Sequence, residues 1–140
     1  MEDDPPPAVL LAMTFTLDEV PAVRHRVART AASAGLSRRR VDDLVMAVNE
    51  GLANAAGHGG GLAQVRLWRA DGYLRCRITD QGTGIPDAVL AHRSPLGPPA
   101  GAGWGLWMMR RLSDGMAIRT GPEGTSVRLD FAVHGRPPAG

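Results

Sequence analysis

Three groups of residues depart from a plain alternation of core and surface positions, and each could do chemistry. Glu50, Asn54 and His58 stand at i, i+4 and i+8, one polar stripe along a helix, flanked by Ala47, Gly51, Ala53 and Gly57 where long charged side chains would be ordinary. A carboxylate that can take a proton, followed one turn later by an amide oxygen that can sit on Mg²⁺, is a workable pair for phosphoryl transfer, because Mg²⁺ prefers hard oxygen ligands. A solvated helix face is the competing reading. Asp80-Gln81-Gly82-Thr83-Gly84 follows an apolar strand. A carboxylate there is costly unless paired, and Gly82 and Gly84 leave backbone open to a flat ligand such as a purine, whose amino group suits an acid. A simple turn uses the same residue types. Gly101-Ala102-Gly103-Trp104-Gly105-Leu106 reads as a glycine-rich loop opening a helix, where exposed N–H groups and the helix dipole favour an anion. Its glycines do not fit G-x-G-x-x-G and no strand leads directly into them, so a lid over phosphates is expected, with a bare helix-capping loop as the plain alternative.

These side chains need elements to hold them. Ala12 to Leu17 alternates as a strand, and Val20, Val23, Val27 and Ala31 recur at helical spacing up to Gly35. Ser37 is placed as the N-cap of a second helix whose apolar arc is Val41, Leu44, Val45, Val48, Leu52 and Ala55. Residues 63–69 and 73–79 alternate on either side of Asp71-Gly72, a hairpin signature. Residues 85–103 carry Pro86, Pro95, Pro98, Pro99 and several glycines, too broken for a long element. A helix over residues 106–112 and strands over 116–120 and 125–133 follow. The order β-α-α-β-β-loop-α-β-β predicts an α+β, two-layer α/β sandwich, with helices packed on one face of a mostly antiparallel mixed sheet. The acidic, proline-rich residues 1–8 and the stretch 135–140 are expected to be flexible tails around one domain, 9–134.

Composition narrows the chemistry further. With 140 residues, 44% hydrophobic and 21% charged, the chain is the size of one domain with its own core. All 16 basic residues are Arg, which excludes a lysine phosphate loop, a Schiff-base enzyme and a lysine-anchored kinase of the common eukaryotic kind. The single cysteine, Cys76, allows no internal disulfide, and His25, His92 and His134 share no metal-ligand spacing. Trp104, Trp107, Met108 and Met109 are expected to pack beneath the lid. Net charge is +2, rising to +5 over residues 5–140 once Glu2, Asp3 and Asp4 are set aside. That suits an acidic protein or a polyphosphate, and with Arg38-Arg39-Arg40 as the only basic triplet no direct nucleic-acid binding is expected. No apolar run is long enough for a membrane span and no signal peptide is visible, so a cytoplasmic protein with no membrane partner is expected.

Taken together, Glu50-x-x-x-Asn54-x-x-x-His58, Asp80-x-Gly82-x-Gly84, Gly103-x-Gly105-Leu106 and Gly124-Thr125-Ser126-Val127 resemble, in order and spacing, the Bergerat-fold (GHKL, histidine kinase-like) ATP-binding domains, over roughly residues 12–133. Within that group, Ala47-Val48-Asn49-Glu50 and the ending Gly105-Leu106-Trp107 to Gly124-Thr125-Ser126-Val127-Arg128-Leu129 look most like the small bacterial anti-sigma factor serine/threonine kinases. The resemblance implies ATP and Mg²⁺ as cofactors, Glu50 as catalytic base, Asn54 as Mg²⁺ ligand, Asp80 as acceptor for the adenine amino group, and Thr125 as a second, water-mediated adenine contact. Gly82, Gly84, Gly101, Gly103, Gly105 and Leu106 would line the nucleotide and its lid, and His58 would support it. It also implies a sigma factor and a STAS-type anti-sigma factor antagonist as partners. With the alternating first strand, it leads to the expectation of a homodimer. The pattern departs at Trp104 and Gly57, where relatives often carry Arg; Arg93, Arg110 and Arg111 are the candidates to replace those charges. The rival readings are the ATP-binding half of a histidine kinase and a non-catalytic module in which ATP only orders a binding surface.

Overall fold

A computed structural model of the chain describes residues 8–58, 62–82 and 102–133. Strand β1 (Val9–Phe15) leads through a short 3-10 turn at Leu17–Glu19 into α1 (Val20–Ser33) and then α2 (Arg38–His58). Strands β2 (Ala63–Ala70) and β3 (Tyr73–Asp80) come next, followed by α3 (Ala102–Leu112), β4 (Gly115–Gly121) and β5 (Gly124–Ala132). The sheet order is β1-β2-β3-β5-β4, and every pairing in it is antiparallel. This is the α+β sandwich the residue order implies.

Local chemistry explains most of the boundaries. Thr16 and Glu19 exchange the bonds of a capping box, the Thr16 N–H donating to Glu19 Oε1 at 2.9 Å, and this turn stops β1 at Phe15. The strand therefore ends two residues before Leu17 and begins three residues before Ala12. Ser37 Oγ accepts the Arg40 N–H at 3.2 Å, the N-cap of α2. Asp71 and Gly72 both take positive φ, 56° and 83°, the pairing a two-residue hairpin needs to match strand twist.

The core lies on one face of the sheet only. Leu74, Cys76 and Ile78 of β3 alternate inward, as do Val127, Leu129 and Phe131 of β5, and they meet Val23, Val27, Leu44, Val48 and Leu52 from the helices. Arg40, part of the basic triplet, is a clamp and no free charge. Its guanidinium donates to Asp43 at 2.7 Å, to the Leu112 carbonyl at the end of α3 at 3.1 Å and to Asp114 at 3.0 Å, and it lies over the Phe131 ring. It ties the start of α2 to the end of α3. No helix among the described residues is long and apolar enough to cross a membrane.

Candidate functional site

One end of the sheet gathers two of the motifs. Register places Asp80, the last residue of β3, directly opposite Thr125 of β5, and Thr125 opposite Thr120 of β4. Asp80 Oδ1 accepts two backbone N–H bonds, from Gly82 at 2.8 Å and from Thr125 at 3.2 Å. Among the described residues Oδ2 accepts none, so one carboxylate oxygen is spent on holding the side chain and the other keeps its capacity to accept. Thr125 is buried, 7% exposed, and its hydroxyl shares a hydrogen bond with Thr120 Oγ1 at 2.8 Å. Asp80, Thr120 and Thr125 border an open hollow of about 410 Å³ at this end of the sheet.

Gly124 makes the arrangement feasible. Its φ is +139°, and a Cβ there would lie 2.2 Å from the Asp80 carbonyl oxygen and 2.9 Å from Gln81 Cα. Only glycine lets β5 start this close to the Asp80 backbone. Without that approach the Thr125 N–H would not reach the carboxylate.

Helix α2 supplies the second wall. Gly51 lies against β3 and α3, since a Cβ on it would meet Ile78 Cδ1 at 2.6 Å and Met109 Sδ at 3.5 Å. Ile78 is one pleat from Asp80 on the same face of the sheet, so this contact sets α2 beside the Asp80 end. Two of the small residues beside the polar stripe thus have a packing reason: Gly51 lies against Ile78 and Met109, and Ala47 is buried in the core. Met109 fills the space Gly51 leaves, inside the core.

Helix α3 completes the site. The stretch Ala102–Gly105, read from sequence as loop, is the first turn of α3, which begins four residues before Leu106. Glycine costs least in a first turn, whose N–H groups have no partner one turn back, and here it allows close contact. A Cβ on Gly105 would come within 3.1 Å of Glu50 Oε1 and 3.3 Å of Asn54 Nδ2. Glu50 and Asn54, one turn apart on α2, therefore converge on the backbone of α3. Leu106, next in the helix, is buried in the core, 1% exposed.

The structure thus brings together Glu50, Asn54 and Gly105 at one contact, with Leu106 next in α3 and buried in the core, and Asp80, Gly82 and Thr125 at another on the same side of the sheet. His58 closes α2 and Gly103 sits in the first turn of α3. Gly84 and Gly101, with residues 86–101 of the lid expected over about 86–103, lie outside the described residues, as do residues 1–7 and 134–140. Sequence reasoning missed Thr120. The signal was present, since Thr120 and Thr125 flank a four-residue hairpin turn and must pair if its strands are in register. It also missed Asn49, whose Oδ1 accepts Arg24 Nη1 at 2.8 Å and ties α1 to α2 next to Glu50.

Comparison with known proteins agrees with this fold. The family model of the histidine kinase-like ATPase domain matches residues 13–131. Among solved structures, the chain is similar to one in the SiaB-SiaC complex from Pseudomonas aeruginosa, at 13% identity and a TM-score of 0.65, covering 88% of this chain and 89% of that one. It is similar to the RsbU and RsbW domains of Rv1364c from Mycobacterium tuberculosis, at 22% identity and a TM-score of 0.60, over 88% of this chain and 32% of that one. The histidine kinase domain from the Erythrobacter litoralis EL346 blue-light activated histidine kinase matches at 20% identity and a TM-score of 0.57, over 81% and 65%. This chain spans about a third of the mycobacterial chain and just under two thirds of the Erythrobacter one. At these identities the likeness is one of fold. No curated protein matches by sequence.

Proposed function

Since the chain belongs to the histidine kinase-like ATPase family, we propose that its unit 9–134 is an ATP- and Mg²⁺-dependent serine/threonine protein kinase of the anti-sigma factor type. It would bind a sigma factor and phosphorylate a STAS-type antagonist, switching transcription by partner choice. The observation that carries this reading is the convergence of Glu50 and Asn54 on Gly105, where an added Cβ would stand 3.1 and 3.3 Å from them, tighter than ordinary contact. A carboxylate and an amide side chain held together beside a glycine backbone fit a metal-bound phosphate group and a proton acceptor better than they fit a solvated helix face.

Each residue has a distinct part. The Glu50 carboxylate accepts the proton of the attacking Ser or Thr hydroxyl. Asn54 offers its amide oxygen to Mg²⁺. Asp80, fixed through Oδ1, presents Oδ2 to the adenine amino group, and Thr125 backs it through water. Gly82, Gly84, Gly101, Gly103, Gly105 and Leu106 line the nucleotide, with His58 in support. Bound Mg²⁺·ATP supplies the phosphoryl group and neutralises its charge. Support for the partner class comes from the fold shared with the RsbW-containing and SiaB-SiaC structures.

The test uses labelled ATP, Mg²⁺ and candidate STAS-type antagonists, with phosphoserine or phosphothreonine as the readout. Glu50→Ala should keep Mg²⁺·ATP affinity within a few-fold and lower transfer by ~10²-fold or more. Asn54→Ala should instead weaken the Mg²⁺-dependent part of binding. Absence of transfer to every antagonist, together with normal regulation by Glu50→Ala in cells, overturns the kinase reading in favour of a nucleotide-switched binding module.

A further inference from the structure

The helices cover one face of the sheet. On the other face, the register sets Arg66 of β2 opposite Arg77 of β3, and Arg77 opposite Arg128 of β5. Three arginines thus stand side by side in one row across three strands. Like charges directly opposite each other in a sheet destabilise it, so the fold gains nothing from this row. Counting Arg75 and Arg119 on the same face against Asp130, the face carries a net +4 in a protein whose whole charge is +2.

The row is held ready. Arg77 lies over the Trp68 ring at 5.4 Å from its centroid, and Arg128 is braced on Asp130 by bonds of 3.0 and 3.2 Å. Arg66 and Arg77 are exposed, and among the described residues neither has an acidic partner. Beside them, Thr14, Gln64 and Thr79 border an open hollow of about 380 Å³, adding neutral donors. The ends of the row are small, Ala12 on β1 and Ala117 on β4, so nothing bulky stands in the way of a partner.

We infer that this face docks an acidic helix of a partner protein, at a site separate from the nucleotide site on the opposite side of the sheet. The spacing selects a helix. Strands lie about 4.8 Å apart, so Arg66 to Arg128 spans about 10 Å. Carboxylates at i, i+3 or i+4, and i+7 of a helix span ~10.5 Å on one side, whereas three alternate residues of an extended chain span ~13 Å. A second copy is excluded by charge, since two such faces repel. Nucleic acid fits less well: the described face carries five arginines and one aspartate within a compact patch, fewer than the about six to ten phosphate contacts of a strongly salt-dependent complex.

The test measures anisotropy of the full chain with a labelled alanine-based helical peptide carrying Glu at i, i+4 and i+7, beside a peptide of equal composition with the Glu residues spread around the helix. The one-sided peptide should bind about five-fold or more tightly than the spread one, and the double variant Arg66→Gln/Arg77→Gln should weaken it about tenfold while ATP affinity stays unchanged. Arg66→Gln alone should leave the melting temperature unchanged or raised, because it only relieves repulsion. Equal binding of the two peptides, insensitivity to the double variant, tighter Arg-dependent binding of a single-stranded oligonucleotide, or a lowered melting temperature for Arg66→Gln would each overturn the inference.

Discussion

Replacing Gly105 by Ala separates what the contact between α2 and α3 does for the fold from what it does for chemistry. Ala is favoured over Gly by up to about 1 kcal/mol in a helix interior and by less in a first turn such as this one, so propensity alone predicts a slightly more stable protein. Against this, the new Cβ would stand 3.1 Å from Glu50 Oε1 and 3.3 Å from Asn54 Nδ2, a few tenths of an ångström inside ordinary contact. Both intruded atoms are ends of flexible side chains that can turn aside at about 0.5–1.5 kcal/mol for a strained rotamer. The two effects nearly cancel, so stability should stay within about 1 kcal/mol and the melting temperature within ~4 °C. Function should not cancel. Glu50 and Asn54 are pushed off the positions proposed for the base and the metal ligand, and because a misplacement of about 1 Å can cost ~10²-fold, a shift of a few tenths should lower phosphoryl transfer about tenfold. Thermal melting and transfer from labelled ATP to an antagonist are the two measurements. A folded Gly105→Ala protein that transfers phosphate at the unmodified rate would refute the reasoning, because the convergence on Gly105 would then have no functional content.

Asp80→Asn retains an oxygen for the Gly82 and Thr125 N–H groups but turns an amide NH₂ outward, donor against the adenine amino donor. Stability should change by less than about 1 kcal/mol while ATP affinity falls ~10²-fold, and the unmodified protein should prefer ATP to GTP in calorimetry. Gly124→Ala places a Cβ 2.2 Å from the rigid Asp80 carbonyl at a φ of +139°, so a loss of about 3 kcal/mol or more is expected in urea unfolding, with ATP binding lost in the protein that remains folded. Burial pushes the Cys76 thiol from its ordinary 9.0 up to about 12. Its contribution to stability is complete below pH 9 and is lost as pH rises towards 12, because the unfolded chain releases the proton first. Unfolding free energy should fall by up to about 1.4 kcal/mol per pH unit in that window, and Cys76→Ala should flatten the slope.

Periodicity carried the helices and the hairpin because those elements are amphipathic on one period each. Val20, Val23, Val27 and Ala31 are the buried residues of α1, and Asp71-Gly72 is the turn. It failed where two demands met in one residue. Gly103 and Gly105 are weak helix formers, so propensity reads a loop, yet both lie in the first turn of α3, where a glycine costs less than in a helix interior, and Gly105 there packs against Glu50 and Asn54. Thr16 and Leu17 continue the alternation of β1, but the capping box with Glu19 takes the backbone into a turn.

The site itself was legible as residue types and not as neighbours. Glu50, Asn54 and Asp80 announce themselves, because a short carboxylate or amide among small and apolar residues has no structural reason on its own chain segment. Which glycine serves packing and which serves the site is decided across elements: Gly51 faces Ile78 and Met109, whereas Gly105 faces Glu50 and Asn54, and both look alike in a helix read alone. The same holds for Thr125, an ordinary strand residue until the register puts it beside Asp80 and Thr120. The arginine row of the bare face is the extreme case, since Arg66, Arg77 and Arg128 are 11 and 51 positions apart and each alone is an ordinary outward strand residue. Pairing makes them one charge pattern. Function on this fold is thus read from register, and a change that shifts β3 against β5 by one residue would dismantle the nucleotide end and the arginine row together while leaving every side chain chemically intact.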